Sequence, residues 1–269
     1  MNPADVPVFV LAGGLGTRFR EETEFRPKPM ILLGEHPIIW HIMRWYDHFG
    51  FRRFVICMGY KSESIRQYFL NYYAMNADCT VKLANNEVVV HSVDHEYDWE
   101  VTLAYTGQTA STGARVARAA ARYLGDAEGF AVTYGDGLTN ADLAAELEFH
   151  SGHGRIGTVL GVNPPSRFGE FVLQGEELVE FSEKPELTDA WINGGYFFFR
   201  REFVDFLDDD DTCVLEREPL SRLTEVGQLK VFKHDGFWAC MDTQRDRDSL
   251  TQIWETGSAP WSPEAAVHR

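Results

Sequence analysis

Short apolar segments alternate with amphipathic ones along the first half of the chain. Residues 6–12 form an apolar run that ends in glycines, which is typical of a buried parallel strand. In residues 37–49 the apolar side chains recur every three or four positions, which predicts an amphipathic helix. Residues 54–58 and 62–73 repeat this order, with Ser62 as the expected cap of the second helix. The succession predicts a parallel sheet with right-handed crossovers.

The strand and helix patterns continue to the end of the chain. Two β-branched segments, 80–84 and 87–91, flank Asn85 and Asn86, which predicts a hairpin turn there. Further strands are predicted at 101–106, 129–134, 156–162, 170–173, 178–181, 191–200, 229–234 and 237–241. Further helices are predicted at 112–124, 141–152, 202–207, 218–225 and 245–256.

These predicted elements put the chain in the α/β class. We expect a mostly parallel sheet flanked by helices, with a small antiparallel insertion formed by the strands near residues 170–181. The sequence contains no linker and no internal repeat, so one domain is expected over residues 1–261. The polar residues 262–269 are expected to form a flexible tail.

The net charge restricts the possible partners. The 269 residues include 41 acidic and 25 basic ones, which gives a formal charge of −16. Such a chain has no overall attraction to nucleic acid or to anionic lipid, so neither is an expected partner. If the protein handles phosphates, it must do so with a local site.

The cysteines and the apolar runs indicate the cellular compartment in which the protein is expected. Cys57, Cys79, Cys213 and Cys240 are far apart and lie among apolar residues, so we expect buried thiols rather than disulfides or a zinc site. No apolar run approaches the roughly 18 residues of a membrane span, and no basic signal segment opens the chain. These features predict a cytoplasmic protein without a membrane partner.

A glycine-rich loop, LAGGLGTR at residues 11–18, follows the first predicted strand. Gly13, Gly14 and Gly16 let a ligand approach the backbone closely, so that amides can contact phosphate oxygens. Thr17 adds a hydroxyl donor, and Arg18 adds a fork suited to phosphate. The spacing fits neither a P-loop nor a dinucleotide-binding motif. A plain turn after a strand is the alternative interpretation.

Lys28 lies between two prolines, ten residues after Arg18. The prolines restrict this segment to an extended conformation, and the loop before it is long enough to fold Lys28 back over the glycine loop. By itself, such a lysine is more often a solvated surface residue. The glycine loop before it favours a phosphate-binding role.

Two aspartates each follow an apolar strand. Asp136 lies in a Gly-Asp-Gly sequence, and Asp242 follows the predicted strand 237–241. Because ligands bind at the carboxyl edge of open α/β sheets, we expect both carboxylates at that edge, about 4–6 Å apart and able to share Mg²⁺. The alternatives are an Asp-Gly turn for Asp136 and a helix cap for Asp242.

Two further motifs suit a sugar phosphate. Glu183 can accept hydrogen bonds from sugar hydroxyls, and Lys184 can bind a phosphate. Asn193 and Gly194 can bring an amide and backbone against a sugar. A surface ion pair and a β-bulge are the respective alternatives.

Taken together and in this order, these motifs resemble the sugar-1-phosphate nucleotidylyltransferase family. The resemblance begins with LAGGLGTRFREETEFRPKPM at residues 11–30 and continues with GDG, EKP, NGG and the aspartate near the C-terminus. Within the family, the chain is most similar to the branch that joins CTP to glucose 1-phosphate, through VTLAYTGQTASTG at 101–113 and FWACMDTQRD at 237–246. The resemblance covers residues 8–261.

The resemblance implies a Rossmann-like fold of the nucleotide-diphospho-sugar transferase type. It also implies a reaction, in which a sugar 1-phosphate oxygen attacks the α-phosphorus of a nucleoside triphosphate and pyrophosphate leaves. The implied catalytic residues are Arg18, Lys28 and Asp136, and the implied Mg²⁺ ligands are Asp136 and Asp242. The implied nucleotide-binding residues are Leu11, Ala12, Gly13, Gly14, Gly16, Thr17, Arg18, Lys28, Thr106, Ser111, Gly113 and Gly135. The implied sugar-phosphate-binding residues are Tyr134, Glu183, Lys184, Asn193 and Gly194.

The family also implies a homo-oligomer, and two other functions stay open. One is the same reaction with UTP, dTTP or another sugar 1-phosphate, because Ala114 stands where a second glycine is expected. The other is a non-catalytic homologue that binds a sugar nucleotide. The presence of Arg18, Lys28, Asp136 and Asp242 speaks against that second function.

Overall fold

Fifteen strands are present in the computed structural model, which describes residues 1–16, 19–91, 97–163, 170–174, 177–182 and 191–266. They are β1 (Val8–Ala12), β2 (Leu32–Leu33), β3 (His36–Pro37), β4 (Arg53–Met58), β5 (Cys79–Lys82), β6 (Glu87–Val90), β7 (Glu100–Tyr105), β8 (Gly129–Tyr134), β9 (Gly137–Thr139), β10 (Gly157–Val162), β11 (Glu170–Gln174), β12 (Glu177–Ser182), β13 (Ile192–Arg200), β14 (Leu229–His234) and β15 (Trp238–Cys240).

Nine α-helices are present in the same described ranges. They are α1 (Arg20–Thr23), α2 (Ile38–His48), α3 (Ser62–Leu70), α4 (Tyr72–Asn76), α5 (Thr112–Tyr123), α6 (Leu143–His153), α7 (Glu218–Glu225), α8 (Gln244–Glu255) and α9 (Pro263–Ala266). Short 3₁₀ turns occur at Pro3–Asp5, Lys28–Met30 and Arg201–Phe206.

Seven of the strands form one sheet in the order β14-β10-β13-β8-β1-β4-β7. β13 runs antiparallel to its neighbours β10 and β8, and every other neighbouring pair is parallel. β11 and β12 form a separate antiparallel pair, as predicted for the insertion. The expected α/β class, with a mostly parallel sheet and a small antiparallel element, is confirmed.

Helices cover both faces of the central sheet, and β1 shows why. Val8 and Val10 face the core that includes Ile42 of α2. Phe9 and Leu11 face the opposite core, which includes Val116 of α5. A strand buried on both faces needs an unbroken apolar run, which is the pattern that the sequence shows. The end of β1 is thereby held in the middle of the sheet.

Several local elements differ from the sequence prediction, and the helix predicted at 202–207 is a 3₁₀ turn at Arg201–Phe206. The helix expected over 62–73 is two helices, because α3 ends at Leu70 and the side-chain amide of its C-cap, Asn71, donates to the Gln67 carbonyl. Lys61, with φ 51°, occupies the N-cap position in place of Ser62. In the predicted tail, α9 packs on α2 and Glu264 pairs with Arg44. The prediction of a single domain over 1–261 stays a prediction.

The cysteines are all free thiols, as expected. Cys57 is buried, but Cys79 is exposed, so the prediction of burial is wrong there. Cys79 lies on β5, and every side chain of that strand is exposed. Within the described ranges, each helix is too short or too polar to cross a membrane.

Candidate active site

A cavity of about 640 Å³ opens where β1 and β8 end. This is the carboxyl edge of the parallel strands, where open α/β sheets bind ligands. Several residues proposed from the sequence line it, namely Leu11, Ala12, Gly13, Gly14, Gly16, Lys28, Ser111, Tyr134, Gly135, Asp136 and Asp242. Glycine-loop residues, the lysine and both aspartates therefore meet in one cavity.

The glycine loop needs its glycines for two different reasons. A Cβ on Gly13 would lie 2.1 Å from the Arg115 guanidinium, so the loop packs directly on that side chain. Gly16 has φ +61°, and a Cβ there would lie 2.5 Å from the Thr23 methyl group. A Cβ on Gly14 would meet nothing within 4 Å. The loop is therefore packed at Gly13 and Gly16 and open at Gly14, a form that admits a close ligand.

Arg115 lines the cavity, although no motif of the sequence indicates a role for it. Its buried guanidinium donates to the carbonyls of Gly13 (2.9 Å), Met58 (3.1 Å) and Gly107 (2.8 Å). These carbonyls lie at or just after the carboxyl ends of β1, β4 and β7. Arg115 also donates to the Thr106 hydroxyl at 3.0 Å. One side chain thus joins the ends of three neighbouring strands.

Replacing Arg115 with methionine should lower the free energy of unfolding by roughly 3 kcal/mol, because several buried acceptors lose a charged donor. Urea unfolding followed by circular dichroism measures the change. Arg122→Met is the matched control, since Arg122 is an exposed arginine on the same helix. It should change stability by under about 0.5 kcal/mol. Equal stability of the two variants would contradict the role of Arg115.

Lys28 bridges the two aspartates. Its ammonium lies 2.6 Å from Asp136 Oδ2 and 2.6 Å from Asp242 Oδ1. The Lys28 side chain is only 12% exposed, so the alternative of a solvated surface lysine is excluded. Gly135 supports this position, because a Cβ there would lie 2.8 Å from Pro29 Cγ. The lysine is held at the cavity wall rather than in solvent.

The carboxylates keep Lys28 charged. Burial lowers the pKa of Lys28, but the Asp136 charge and the hydrogen bonds to Asp136 and Asp242 outweigh it, so the pKa lies above its ordinary value. Burial, and next the charge of Asp136, raise the pKa of the Cys240 thiol well above its usual range. The cluster therefore combines a charged ammonium with a neutral thiol.

A small ribbon brings the two aspartates together. β15 pairs with β9, Cys240 lies opposite Gly137, and the Met241 amide donates to the Asp136 carbonyl at 2.9 Å. The expectation that Asp242 ends a strand of the main sheet is wrong, because β15 belongs to this separate pair.

Asp242 does not cap the helix that follows it. Thr243 is the N-cap of α8, and it forms a capping box with Asp246. The helix-cap alternative for Asp242 is therefore excluded. Its carboxylate lines the cavity instead.

The aspartates are close enough to share a divalent cation. Asp136, Cys240 and Asp242 offer one ligand atom each within 4.8 Å of one another, which meets the expected separation of the carboxylates. Mg²⁺ prefers one or two carboxylates together with phosphate oxygens and water. Asp136 and Asp242 fit that preference, whereas a neutral thiol adds little for a hard cation.

A second polar network crosses the cavity wall. The Tyr134 hydroxyl donates to Glu216 Oε1 at 2.5 Å, and the Thr112 hydroxyl donates to Glu216 Oε2 at 2.7 Å. The Asn193 amide donates to the Tyr134 oxygen at 3.0 Å. Burial, and next the charge of Glu216, raise the pKa of Tyr134 above its usual range, so this phenol stays a donor. Glu216 was not among the residues proposed from the sequence.

Four of the proposed residues do not line the cavity. Thr106 is buried and donates to the Met58 carbonyl, and a Cβ on Gly113 would lie 2.6 Å from Cys213 Sγ. Asn193 and Gly194 lie at a register shift between β10 and β13, so the β-bulge alternative describes their backbone. Thr17, Arg18, Glu183 and Lys184 lie outside the described residues.

Comparison with known sequences gives matches over most of the chain. A family model described as "Nucleotidyl transferase" matches residues 8–243. The glucose-1-phosphate cytidylyltransferase of Salmonella typhi is 45% identical over 252 residues, which cover 94% of this chain and 97% of the relative. A probable glucose-1-phosphate cytidylyltransferase of Bacillus subtilis is 36% identical over 252 residues, with the same coverage of both chains.

Solved structures with the same fold are more distant in sequence. HddC from Yersinia pseudotuberculosis superposes with a TM-score of 0.65 at 19% identity, over 93% of this chain and 99% of the other. A putative glucose-1-phosphate thymidylyltransferase from Bacillus anthracis gives a TM-score of 0.64 at 16% identity, over 92% and 94% of the two chains. At these identities the likeness shows the fold alone.

Proposed function

Because the chain belongs to the nucleotidyl transferase family, we propose that it transfers a cytidylyl group from CTP to glucose 1-phosphate. The products are CDP-glucose and pyrophosphate. The observation that carries the proposal is the meeting of the glycine loop, Lys28 and two carboxylates in one cavity. The cytidylyltransferases that match almost the whole chain support the choice of substrates.

The reaction requires alignment of the two substrates and neutralisation of the phosphate charge, and it requires no nucleophile from the protein. The attacking phosphate oxygen of glucose 1-phosphate is already an anion, so no Ser, Cys or His has to be activated. In this proposal Gly13, Gly14 and Gly16 hold the triphosphate. Lys28 leaves its carboxylate partners to contact the α-phosphate and the incoming sugar phosphate. The attack is in line, and no covalent intermediate forms.

The remaining predicted residues keep their roles within the proposal. Arg18 stabilises the leaving pyrophosphate, while Glu183 and Lys184 bind the sugar and its phosphate. Asp136 and Asp242 would hold Mg²⁺, which supplies positive charge to the phosphate oxygens when it is bound. Lys28, which pairs with the same two aspartates, contributes a further positive charge when it turns towards the phosphates.

Two alternatives are separated by product analysis. The protein is incubated with Mg²⁺, glucose 1-phosphate and CTP, and sugar nucleotide and pyrophosphate are measured by mass spectrometry. We expect CDP-glucose and pyrophosphate in equal amounts. CDP-glucose binding without turnover would favour the non-catalytic homologue. If a sugar nucleotide formed only when UTP or dTTP took the place of CTP, that triphosphate would be the donor and the type of reaction would stay the same.

We also propose that the protein is a cytoplasmic homo-oligomer. The free state of all four cysteines supports a reducing compartment. The β5–β6 hairpin supports assembly, because Val81, Leu83 and Val88 are exposed on it. A two-stranded hairpin is marginally stable by itself in water. Lys82 and Glu87 pair at 2.9 Å on the other face of the hairpin, so this ion pair does not interrupt the face that carries Val81 and Val88.

Replacing Val81 with lysine and Val88 with glutamate should dissociate the oligomer. These two residues are directly opposite each other in the hairpin, so the new charges attract and preserve the strand pairing. Analytical ultracentrifugation should give an oligomer for the natural sequence and a 30.6 kDa monomer for the double variant. Val226→Lys, at an exposed valine beyond α7, is the control. An unchanged mass in the double variant would contradict this interface.

A further inference from the structure

Glu216 lies in a segment that is hydrogen-bonded to Ser111 and to the first turn of α5. The Ser111 amide donates to the Asp211 carbonyl, and the Ala114 amide donates to the Cys213 carbonyl. The Leu215 amide donates to the Thr112 hydroxyl at 2.9 Å. These contacts fix the backbone on both sides of the cavity wall. The Glu216 side chain is therefore held in place before any ligand arrives.

The carboxylate of Glu216 has acceptor capacity left. Among the described residues, Oε1 accepts from Tyr134 and Oε2 accepts from Thr112. A carboxylate oxygen can accept about two hydrogen bonds, so each oxygen has one further acceptor position. Glu216 lines the cavity and is an exposed residue. Two adjacent acceptor positions match two neighbouring donors on one ligand.

Electrostatics decides which part of the substrates can lie there. A carboxylate repels phosphate groups, and Lys28 is a cation that lines the cavity beside Asp136 and Asp242. The guanidinium of Arg115, which also lines the cavity, is bound to backbone carbonyls. The phosphates therefore belong near Lys28. The part of the ligand beside Glu216 has to be uncharged and rich in donors. A sugar ring with adjacent hydroxyl groups meets both conditions.

We propose that Glu216 binds ring hydroxyl groups of the sugar nucleotide, positioned for this by Tyr134 and Thr112. The assignment rests on the proposed function, because it takes a sugar nucleotide as the ligand. The hydroxyls can come from the ribose or from the hexose, and both have the same chemistry. Glu216 contributes to specificity for hydroxylated sugars and takes no part in the charge neutralisation at phosphorus.

The test uses Glu216→Gln, which keeps the size of the side chain and one carbonyl acceptor. Glu218→Gln is the matched control, because Glu218 lies two residues away and its side chain is 80% exposed. Binding is measured by calorimetry with CDP-glucose and with its monodeoxy analogues in the ribose or in the hexose. The KM and kcat of each substrate are measured in parallel, with circular dichroism to monitor the fold.

Glu216→Gln should weaken binding of CDP-glucose roughly ten- to a hundredfold, as expected when a hydrogen bond to a charged acceptor is lost. KM should change much more than kcat, and Glu218→Gln should match the natural protein. The natural protein should lose a similar factor with the one deoxy analogue that lacks the contacted hydroxyl. Glu216→Gln should bind that analogue as tightly as it binds CDP-glucose. The position of the missing hydroxyl then shows whether Glu216 contacts the ribose or the hexose.

If Glu216→Gln weakened the binding of CDP-glucose and of every deoxy analogue by the same factor, the assignment would be overturned. The carboxylate would then act only by supporting the structure of the cavity wall. The assignment would also be overturned if Glu216→Gln changed the preference between CTP and UTP while the deoxy analogues bound as CDP-glucose does. Glu216 would then contact the base of the nucleotide. If Glu216→Gln fails to fold, Thr112→Val and Tyr134→Phe test the same contact, and wild-type affinity in both would overturn it. A natural protein that binds no sugar nucleotide would overturn the proposed function, and this assignment with it.

Discussion

Replacing Lys28 with alanine should lower kcat/KM for CTP and glucose 1-phosphate about a hundredfold or more. The reason is that a charge contact to the reacting phosphate is removed, and such contacts typically contribute about 2.7–4 kcal/mol to the transition state. Lys28 lies 2.6 Å from each of two carboxylates at the cavity wall, from which its ammonium can turn to the phosphates. Steady-state pyrophosphate release measures the loss.

Lys82→Ala is the matched control for Lys28. Lys82 is also paired with a carboxylate, but its side chain is 56% exposed on the β5–β6 hairpin. The control should keep wild-type turnover. Lys28→Arg should lose most of the activity although it keeps the charge, because a planar guanidinium does not reproduce the point contact of an ammonium. Near-normal turnover of a folded Lys28→Ala protein would remove Lys28 from the reaction.

Replacing either Asp136 or Asp242 with asparagine should also lower turnover by roughly a hundredfold or more. An amide removes one negative charge from the pair that fits Mg²⁺ and leaves the size of the side chain unchanged. Stability should change little, since the remaining carboxylate still pairs with Lys28 and both aspartates are partly exposed. Activity is measured over a range of Mg²⁺ concentrations, and thermal unfolding is measured on the same samples.

Asp246→Asn separates the metal role from a structural one. Asp246 belongs to the capping box of α8, four residues after Asp242. Its replacement should lower thermal stability and leave the Mg²⁺ dependence of turnover unchanged. If Asp242→Asn behaves like Asp246→Asn, with a stability loss and normal kinetics, Asp242 has no role at the metal. A wild-type Mg²⁺ profile in Asp136→Asn would remove the other ligand.

The first strand and the glycine loop after it were predictable because the sequence patterns that specify them are local. The apolar run that ends in Gly13 and Gly14 specifies both a buried strand and an open loop after it. The approach of Asp136 and Asp242 was also expected, but for an incomplete reason. The short pair of β9 and β15 joins them, and three-residue strands carry too little pattern to be recognised.

Arg115 and Glu216 show what sequence patterns leave out. The main acceptors of Arg115 are backbone carbonyls on three separate segments, and a carbonyl leaves no trace in residue identity. Glu216 meets Tyr134 and Thr112 only after the segment before α7 packs on α5. A charged residue before a predicted helix gives no sign of such contacts. Both roles depend on tertiary structure that no local signal specifies.

A competition experiment tests the cytidylyl transfer most directly. The protein receives CTP, UTP, dTTP, ATP and GTP at equal concentrations, with glucose 1-phosphate and Mg²⁺, and the nucleotide sugars are separated by mass early in the reaction. Their ratio equals the ratio of the kcat/KM values. We expect CDP-glucose as the main product. A mixture dominated by UDP-glucose or dTDP-glucose would contradict the proposed donor, and the absence of any sugar nucleotide would contradict the proposed reaction.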